Sequence, residues 1–155
     1  MSPDENKALI QFVIREALNG GRLEIADEHF TDDYIAHIPG WPDETTPRGP
    51  GAFKQAISVW RTACSDWHMT VEEMVAHGDL VANRFTTRAT HDGPLFGIPP
   101  TGNQFVVNGM EFHRVHDDKV AESWVSDDVP GILVQLGVLD MPPLVGSGDR
   151  RASQT

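Results

Sequence analysis

Lys119-Val-Ala-Glu-Ser-Trp-Val-Ser-Asp-Asp-Val-Pro-Gly-Ile-Leu-Val-Gln-Leu-Gly137 is the stretch whose reading decides the fold. Val120, Glu122, Trp124 and Ser126 alternate with Ala121, Ser123 and Val125, which is the period of a two-faced strand. Without a bulge, Asp128 continues the parity of Trp124 and projects beside the indole. Beyond it Ile132, Leu133 and Leu136 recur at helical spacing, and Gly137 supplies a stop. A carboxylate at a strand end, next to an aromatic ring and under an apolar helix, can have its proton affinity raised by burial. On spacing alone, the commoner use of Asp127 or Asp128 is as the N-cap of that last helix.

Working outward, Phe105–His116 turns at Asp117-Asp118 into this strand. Setting His116 against Lys119 puts His113 opposite Glu122 and Glu111 opposite Trp124. A single bulge would carry every later side chain to the other face. An earlier hairpin joins Thr70–His77 to Leu80–His91 through Gly78-Asp79, with Glu73 opposite Arg84 and Glu72 opposite Phe85. Its more apolar face carries Met74, Ala76, Val81, Phe85, Ala89 and His91. Upstream, Leu9, Ile10, Val13, Ile14, Ala17 and Leu18 mark an amphipathic helix over Pro3–Asn19 that ends at Gly20-Gly21. Arg22–Phe30 reads as a short second helix, Tyr34–His37 as a short strand, and Gly51–Ala63 as a third helix. The loop of residues 38–49, with Pro39, Pro42, Pro47 and Trp41, falls near a pocket mouth. Helices first and antiparallel strands afterwards predict an α+β domain over residues 1–140, with the helices packed on a curved, mainly antiparallel sheet. Residues 141–155, without periodicity, are expected to form a flexible tail.

The 155 residues suit one domain, and 39% hydrophobic with 23% charged residues is an ordinary globular balance. Twelve Lys and Arg against 23 Asp and Glu leave a net charge of −11. Such a field repels phosphate backbones and anionic lipid, so neither nucleic acid nor membrane is the expected partner. The segment from Met1 to Asn6 has no leader-like pattern and no apolar run approaches membrane length, so a cytoplasmic protein is expected. Cys64 is the only cysteine and reads as a buried structural thiol.

From about Lys7 to Gly137 the chain resembles the SnoaL-like polyketide cyclases, also called the ester cyclase family. The likeness rests on an ordered set of motifs: Tyr34–Pro39 with His37, Gly78-Asp79-Leu80-Val81-Ala82, and Thr90-His91-Asp92-Gly93 leading to Phe96-Gly97-Ile98-Pro99-Pro100-Thr101-Gly102. Phe112-His113-Arg114, Glu122-Ser123-Trp124, an Asp four residues past that Trp, and Gln135-Leu136-Gly137 complete it. The resemblance implies the cone-shaped α+β barrel of nuclear transport factor 2 relatives, an apolar pocket under the sheet, and a homodimer. It also implies acid/base ring closure of a carbonyl-rich polyketide by an intramolecular aldol condensation without metal or organic cofactor. By its position after Trp124, Asp128 matches the family's acid, with Asp127 as the fallback. Two departures stand out: Asp118 where the turn more often has Gly, and Pro130 after the acid, which suits a first helical turn.

An aldol closure needs a base for a carbon-bound proton and a donor for the oxygen that becomes an alcohol. Asp128 is the expected shuttle. His113 shares its predicted face as an oxyanion donor or a tuning group, with a solvent-facing pair to Glu122 as the alternative. His37 is the third candidate, at a strand end facing the pocket or bonded to loop carbonyls. Trp124, Trp41, Phe85 and Met110, large side chains otherwise expected in the core, are candidate walls for a flat hydrophobic substrate, together with His91, which could equally anchor its loop. The histidines are too scattered for a metal site, and no phosphate loop, nucleophile elbow or buried-looking lysine is present. Hydrolysis or isomerisation by the same acid, such as epoxide opening, and ligand binding without chemistry are the competing readings. An oxygenase role would require dioxygen.

Overall fold

The computed structural model describes residues 1–40 and 42–141. Trp41, and the expected tail beyond Met141, lie outside the described residues. Helix α1 (Pro3–Val13) starts at a capping box in which the Ser2 hydroxyl accepts from Glu5 N–H and the Glu5 carboxylate accepts from Ser2 N–H. These bonds satisfy backbone donors that the first turn leaves free. The helix runs on through a wider π-helical stretch, Ile14–Asn19, and buries Leu9, Ile10, Val13, Ile14, Ala17 and Leu18 on one stripe. The second helix is shorter than its apolar spacing predicts. A single 3-10 turn at Leu23–Ile25 leads into α2 (Ala26–His29), and strand β1 (Phe30–His37) takes over four residues before Tyr34. Phe30 and Tyr34 favour that extended pairing because their rings meet edge-to-face at 4.7 Å and pack on Phe53 of α3 (Pro50–Ala63).

Strands β2 (His68–His77), β3 (Leu80–Thr90), β4 (Gln104–His116) and β5 (Lys119–Asp127) follow, and α4 (Val129–Gln135) is the last element among the described residues. The order across the sheet is β1-β5-β4-β3-β2, antiparallel except for the parallel β1–β5 edge. β1 and β2 are not bonded to each other, so the barrel expected from the resemblance is a curved sheet left open at that seam. The hairpin turns fall where the sequence puts them: His77 faces Leu80 and His116 faces Lys119. Asp117 and Asp118 both take left-handed backbone, at φ 48° and 63°, as a tight two-residue turn requires.

Along β3 and β4, burial alternates residue by residue, which separates an inner face under the helices from an outer face. Two apolar clusters occupy the inner side. One joins α1, β1, Phe53, Met69, Val81, Phe85, Val115 and Val120. The other joins Ala63, Cys64, Trp67, Ala89, Leu95, Phe105, Val107, Ile132 and Leu136.

The decisive irregularity lies in β5. Val115 pairs with Val120 but Arg114 pairs with Glu122, so Ala121 has no opposite number. This bulge places two residues, not one, between the inner-facing Val120 and Ser123, and every later residue changes face relative to a regular ladder. His113 therefore faces Ser123 instead of Glu122, and Glu111 faces Val125 instead of Trp124. A smaller shift at Glu72 in β2 pairs Phe85 with Val71 while Glu73 keeps Arg84, its expected partner. Because Ala121 is the unpaired residue, deleting it leaves Val120 opposite Val115, Glu122 opposite Arg114 and Ser123 opposite His113, and every later side chain keeps its face. The Ala121 deletion should therefore keep the cooperative urea transition and near-ultraviolet tryptophan dichroism, whereas one alanine inserted between Ser123 and Trp124, which turns Trp124 inward and Asp127 outward, should lose both.

Candidate active site

Between the two apolar clusters the inner face carries a polar band, arranged in rows by the ladder. Val81, His113, Ser123 and Ala36 form one row across β3, β4, β5 and β1. Asn83, Glu111 and Val125 form the next, and Phe85, Gly109 and Asp127 the third. Glu111, 6% exposed, accepts from Asn83 Nδ2 at 3.0 Å through Oε1. His113 Nε2 lies 3.2 Å from the same oxygen, without the angle of a hydrogen bond, and is itself buried and unpartnered. The other ring nitrogen, Nδ1, is 2.8 Å from the Ser123 hydroxyl. Burial pushes the Tyr34 phenol well above its ordinary range, against a hydrogen bond from Ser123. Burial also opposes ionisation of Glu111, but the His113 charge and the His113 and Asn83 donors outweigh it and hold its carboxyl below the usual value.

Asp127 occupies the end of this band. Burial first, and then the Glu111 charge, push its carboxyl up to about 6. The residue opposite it is Gly109, and the Phe85 ring lies in the space a side chain there would fill: a Cβ on Gly109 would come within 2.3 Å of the Phe85 ring. Only glycine lets that ring sit flat on the sheet beside the carboxyl.

Asp128, the acid expected from the unbroken parity and the resemblance, is exposed and caps α4, its Oδ1 accepting from Gly131 N–H at 2.9 Å. The Ala121 bulge is the reason: it gives the inward position to Asp127. Trp124 is turned to the outer face for the same reason, where the His37 ring stacks on it at 5.2 Å and the Arg114 guanidinium sits over it at 5.7 Å. His37 is held there by Glu122 at 2.8 Å and Asp43 at 2.9 Å. Burial disfavours its charge, but those two carboxylates outweigh burial and keep its proton affinity above the ordinary histidine range. His37 thus ties β1 to β5 and to the following loop on the outer side, away from the polar band. Met110 is 63% exposed, also on the outer face, because it alternates with the buried Gly109 and Glu111. His91 is buried under the loop after β3: its Nδ1 accepts from Thr101 N–H at 3.2 Å, and its backbone pairs with Gly102 and Asn103. Loop anchoring is the role its contacts describe. Of the expected set, the structure brings only His113 and Phe85 to the band with Asp127.

Glu111, Asn83, Ser123 and Tyr34 were not singled out by the sequence reading. A signal existed, since Glu111 and His113 interrupt Phe105, Val107 and Val115 at the same parity, and Asn83 interrupts Val81 and Phe85. Among the described residues no group of three or more His, Cys, Asp or Glu could hold a metal ion, and no helix is long and apolar enough to cross a membrane.

The model of the SnoaL-like polyketide cyclase family matches residues 8–136. The chain belongs to that family. An aklanonic acid methyl ester cyclase, DnrD of Streptomyces peucetius, is 29% identical over 124 residues, 79% of this chain and 84% of that protein. Among solved structures, IdmH of Streptomyces antibioticus is 33% identical with a TM-score of 0.74, covering 86% of this chain and 99% of that one. TsrD of Streptomyces laurentii is 26% identical with a TM-score of 0.78, covering 90% of this chain and 99% of that one. The SnoaL-like proteins are an enzyme family, and this chain has the helices and five-stranded mixed sheet of its structural neighbours.

The raised Asp127 carboxyl carries a stability signature. Its native proton affinity lies above that of an unfolded aspartate, near 3.9, so the native state binds the proton more tightly. Stability is therefore fully present below about pH 4 and falls as pH rises toward 6. Asp127→Asn should accordingly unfold later than wild type at pH 7.5, by on the order of 2 kcal/mol, with the gap closing at pH 4. Urea titrations at the two pH values check this.

Proposed function

We propose that this SnoaL-like protein closes a ring by an intramolecular, aldol-type condensation of a hydrophobic, carbonyl-rich substrate, with Asp127 as the acid/base group. The observation that carries the reading is a half-buried carboxyl on the inner face, opposite Gly109, whose proton affinity is pushed up to about 6, that of a usable base at neutral pH. Ionised Asp127 takes a proton from a carbon flanked by two carbonyls. The resulting enolate attacks a second carbonyl of the same molecule, one carbon–carbon bond forms, and the proton returns to the new alkoxide. No electrons leave the substrate, so the sequence of steps requires no redox cofactor.

His113 is the donor we assign to the developing oxyanion, through Nε2, which lies 3.2 Å from Glu111 Oε1 but makes no hydrogen bond in the protein. Ser123, opposite His113 on the ladder, and Asp127 are four residues apart on β5, about 13 Å along the strand at about 3.3 Å per residue. The substrate would lie along the band, with the Phe85 ring as its flat wall. DnrD's name gives aklanonic acid methyl ester as what that relative cyclises, and a polyketide methyl ester of that kind is the substrate class we assign. A cytoplasmic homodimer belongs to the same reading: Val106, Met110 and Phe112 are 43%, 63% and 51% exposed along the outer face of β4, an apolar strip that a second copy would cover.

Turnover of a panel of polyketide methyl esters and epoxides, read by mass spectrometry, tests the assignment. Asp127→Asn should bind substrate and lose at least a hundredfold in kcat, whereas Asp128→Ala should keep kcat and lose about 1 kcal/mol of stability with its cap. Ring closure leaves the product mass unchanged, or lower by one water after dehydration. A gain of one water would replace cyclisation by hydrolysis, and full activity in Asp127→Asn would remove the acid from the mechanism.

A further inference from the structure

We propose that Glu111 is a positioning residue of this site, a fixed buried charge that acts through Asp127 and His113 and decides where the site's proton rests before substrate enters. The proposal rests on the reading of Asp127 as the acid/base group. It concerns a side chain that touches neither reacting carbon in that scheme.

An ionised carboxylate that is 6% exposed survives only with partners, because taking it out of water costs several kcal/mol. Glu111 has two, and both converge on Oε1: Asn83 Nδ2 at 3.0 Å and His113 Nε2 at 3.2 Å. A carboxylate can only accept, so it also fixes the Asn83 amide with nitrogen toward Glu111, leaving Asn83 Oδ1 buried without a partner. An uncharged glutamine at this position could still pair with Asn83. What it could not do is hold a negative charge against His113 and diagonally across from Asp127.

That diagonal is set by the ladder: Gly109 is opposite Asp127, and Glu111 is the next inward-facing residue of β4. Gly109 puts no side chain between the two positions, and the ring that fills the space of its Cβ, Phe85, is apolar and screens poorly. The other titratable groups are accounted for. Tyr34 of β1 and His113 of β4 lie at the Ser123 end of the band, and Asp128 at the start of α4 is turned to Gly131. On α3, Lys54 bonds Asp27, and Arg61 bonds the Leu18 and Asn19 carbonyls. The inner-facing side chains of β2, namely Met69, Val71, Met74 and Ala76, are uncharged. Glu111 is therefore the charge that Asp127 meets when it ionises, and a like charge there strengthens it as a base.

The test compares wild type, Glu111→Gln and Glu111→Asp. The Asp127 carboxyl is followed by carbon-13 NMR in the unliganded protein, its signal assigned by its absence in Asp127→Asn, alongside the pH profile of kcat/KM. Glu111→Gln should lower the Asp127 midpoint by 0.5 to 1 pH unit and move the acid limb of kcat/KM by the same amount. Glu111→Asp, which keeps the charge, should leave both within about 0.2 unit whatever it costs in packing. A merely structural Glu111 would lower the unfolding midpoint of both variants and leave the Asp127 titration where it was, which would overturn the proposal. So would equal shifts in the two variants, and if Glu111→Gln does not fold, a shift of 0.5 unit in Glu111→Asp overturns it alone. These titrations need no substrate: an unmoved midpoint beside an inactive Asp127→Asn removes only the role of Glu111, whereas an active Asp127→Asn removes the reading beneath it.

Discussion

One extra residue in β5 governs what the protein can do. With Ala121 unpaired, the step from Val120 to Ser123 spans two residues, and Ser123, Val125 and Asp127 all point inward. The bulge costs an unpaired residue and local strain in the ladder, and it is retained where the inner face changes from apolar packing against α1 to a polar band. Val115 and Val120 lie on the apolar side of that boundary, His113 and Ser123 on the polar side. Were the ladder regular, the indole of Trp124 would take up the interior and the acid would be a surface residue.

The band itself works against stability. Two carboxyls, an imidazole, an amide and a phenol are removed from water in a domain whose size leaves little core to spare. Part of the cost is recovered pairwise, through Asn83 to Glu111 and His113 to Ser123. Part is not: Asn83 Oδ1, Thr87 Oγ1 and His113 Nε2 are buried with no protein partner. Asn6 Oδ1, Thr31 Oγ1 and His91 Nε2 are unpartnered elsewhere, but unsatisfied groups gathered on one face mark where binding can return energy that folding did not. The two apolar clusters on either side supply the compensating burial, at roughly 25 cal/mol per Å² of apolar surface.

Most of the architecture is legible in the sequence because its signals are local. Turn residues at Gly78-Asp79 and Asp117-Asp118, period-two alternation in β3 and β4, and the apolar stripe of α1 each specify their own element. The parity of β5 is not local. Nothing in Val120-Ala-Glu-Ser marks Ala121 as the unpaired residue; the reason lies in Val115 and Val120, which both pack beneath α1, while Arg114 and Glu122 pair on the other side at 3.3 Å. The misplacements that follow, of Asp128, Trp124 and the partners of His113, are one error propagated along one strand. His37 moves with them, since its register partner is Trp124. Met110 is a different case: the alternation that buries Glu111 already exposes it, and its size was read in place of its parity.

The strand end carries two acids in two different settings, one capping α4 and one facing the polar band. Asp128 spends its carboxylate on Gly131 N–H, and Gly131 is the residue that leaves room, since a Cβ there would collide with the Asp128 carboxyl. That bond fixes the direction in which the chain leaves β5, with Ile132 and Leu136 of α4 packed into the second cluster. Asp127, one residue earlier, is held by its place in the ladder opposite Gly109 and needs no side-chain bond of its own. A single aspartate could not do both, because a cap must accept a backbone hydrogen bond, which stabilises the ionised form and would lower the proton affinity that burial raises. Dividing the two settings between neighbours gives the backbone bond to the surface carboxylate and leaves the inner one without it, its proton affinity raised by burial.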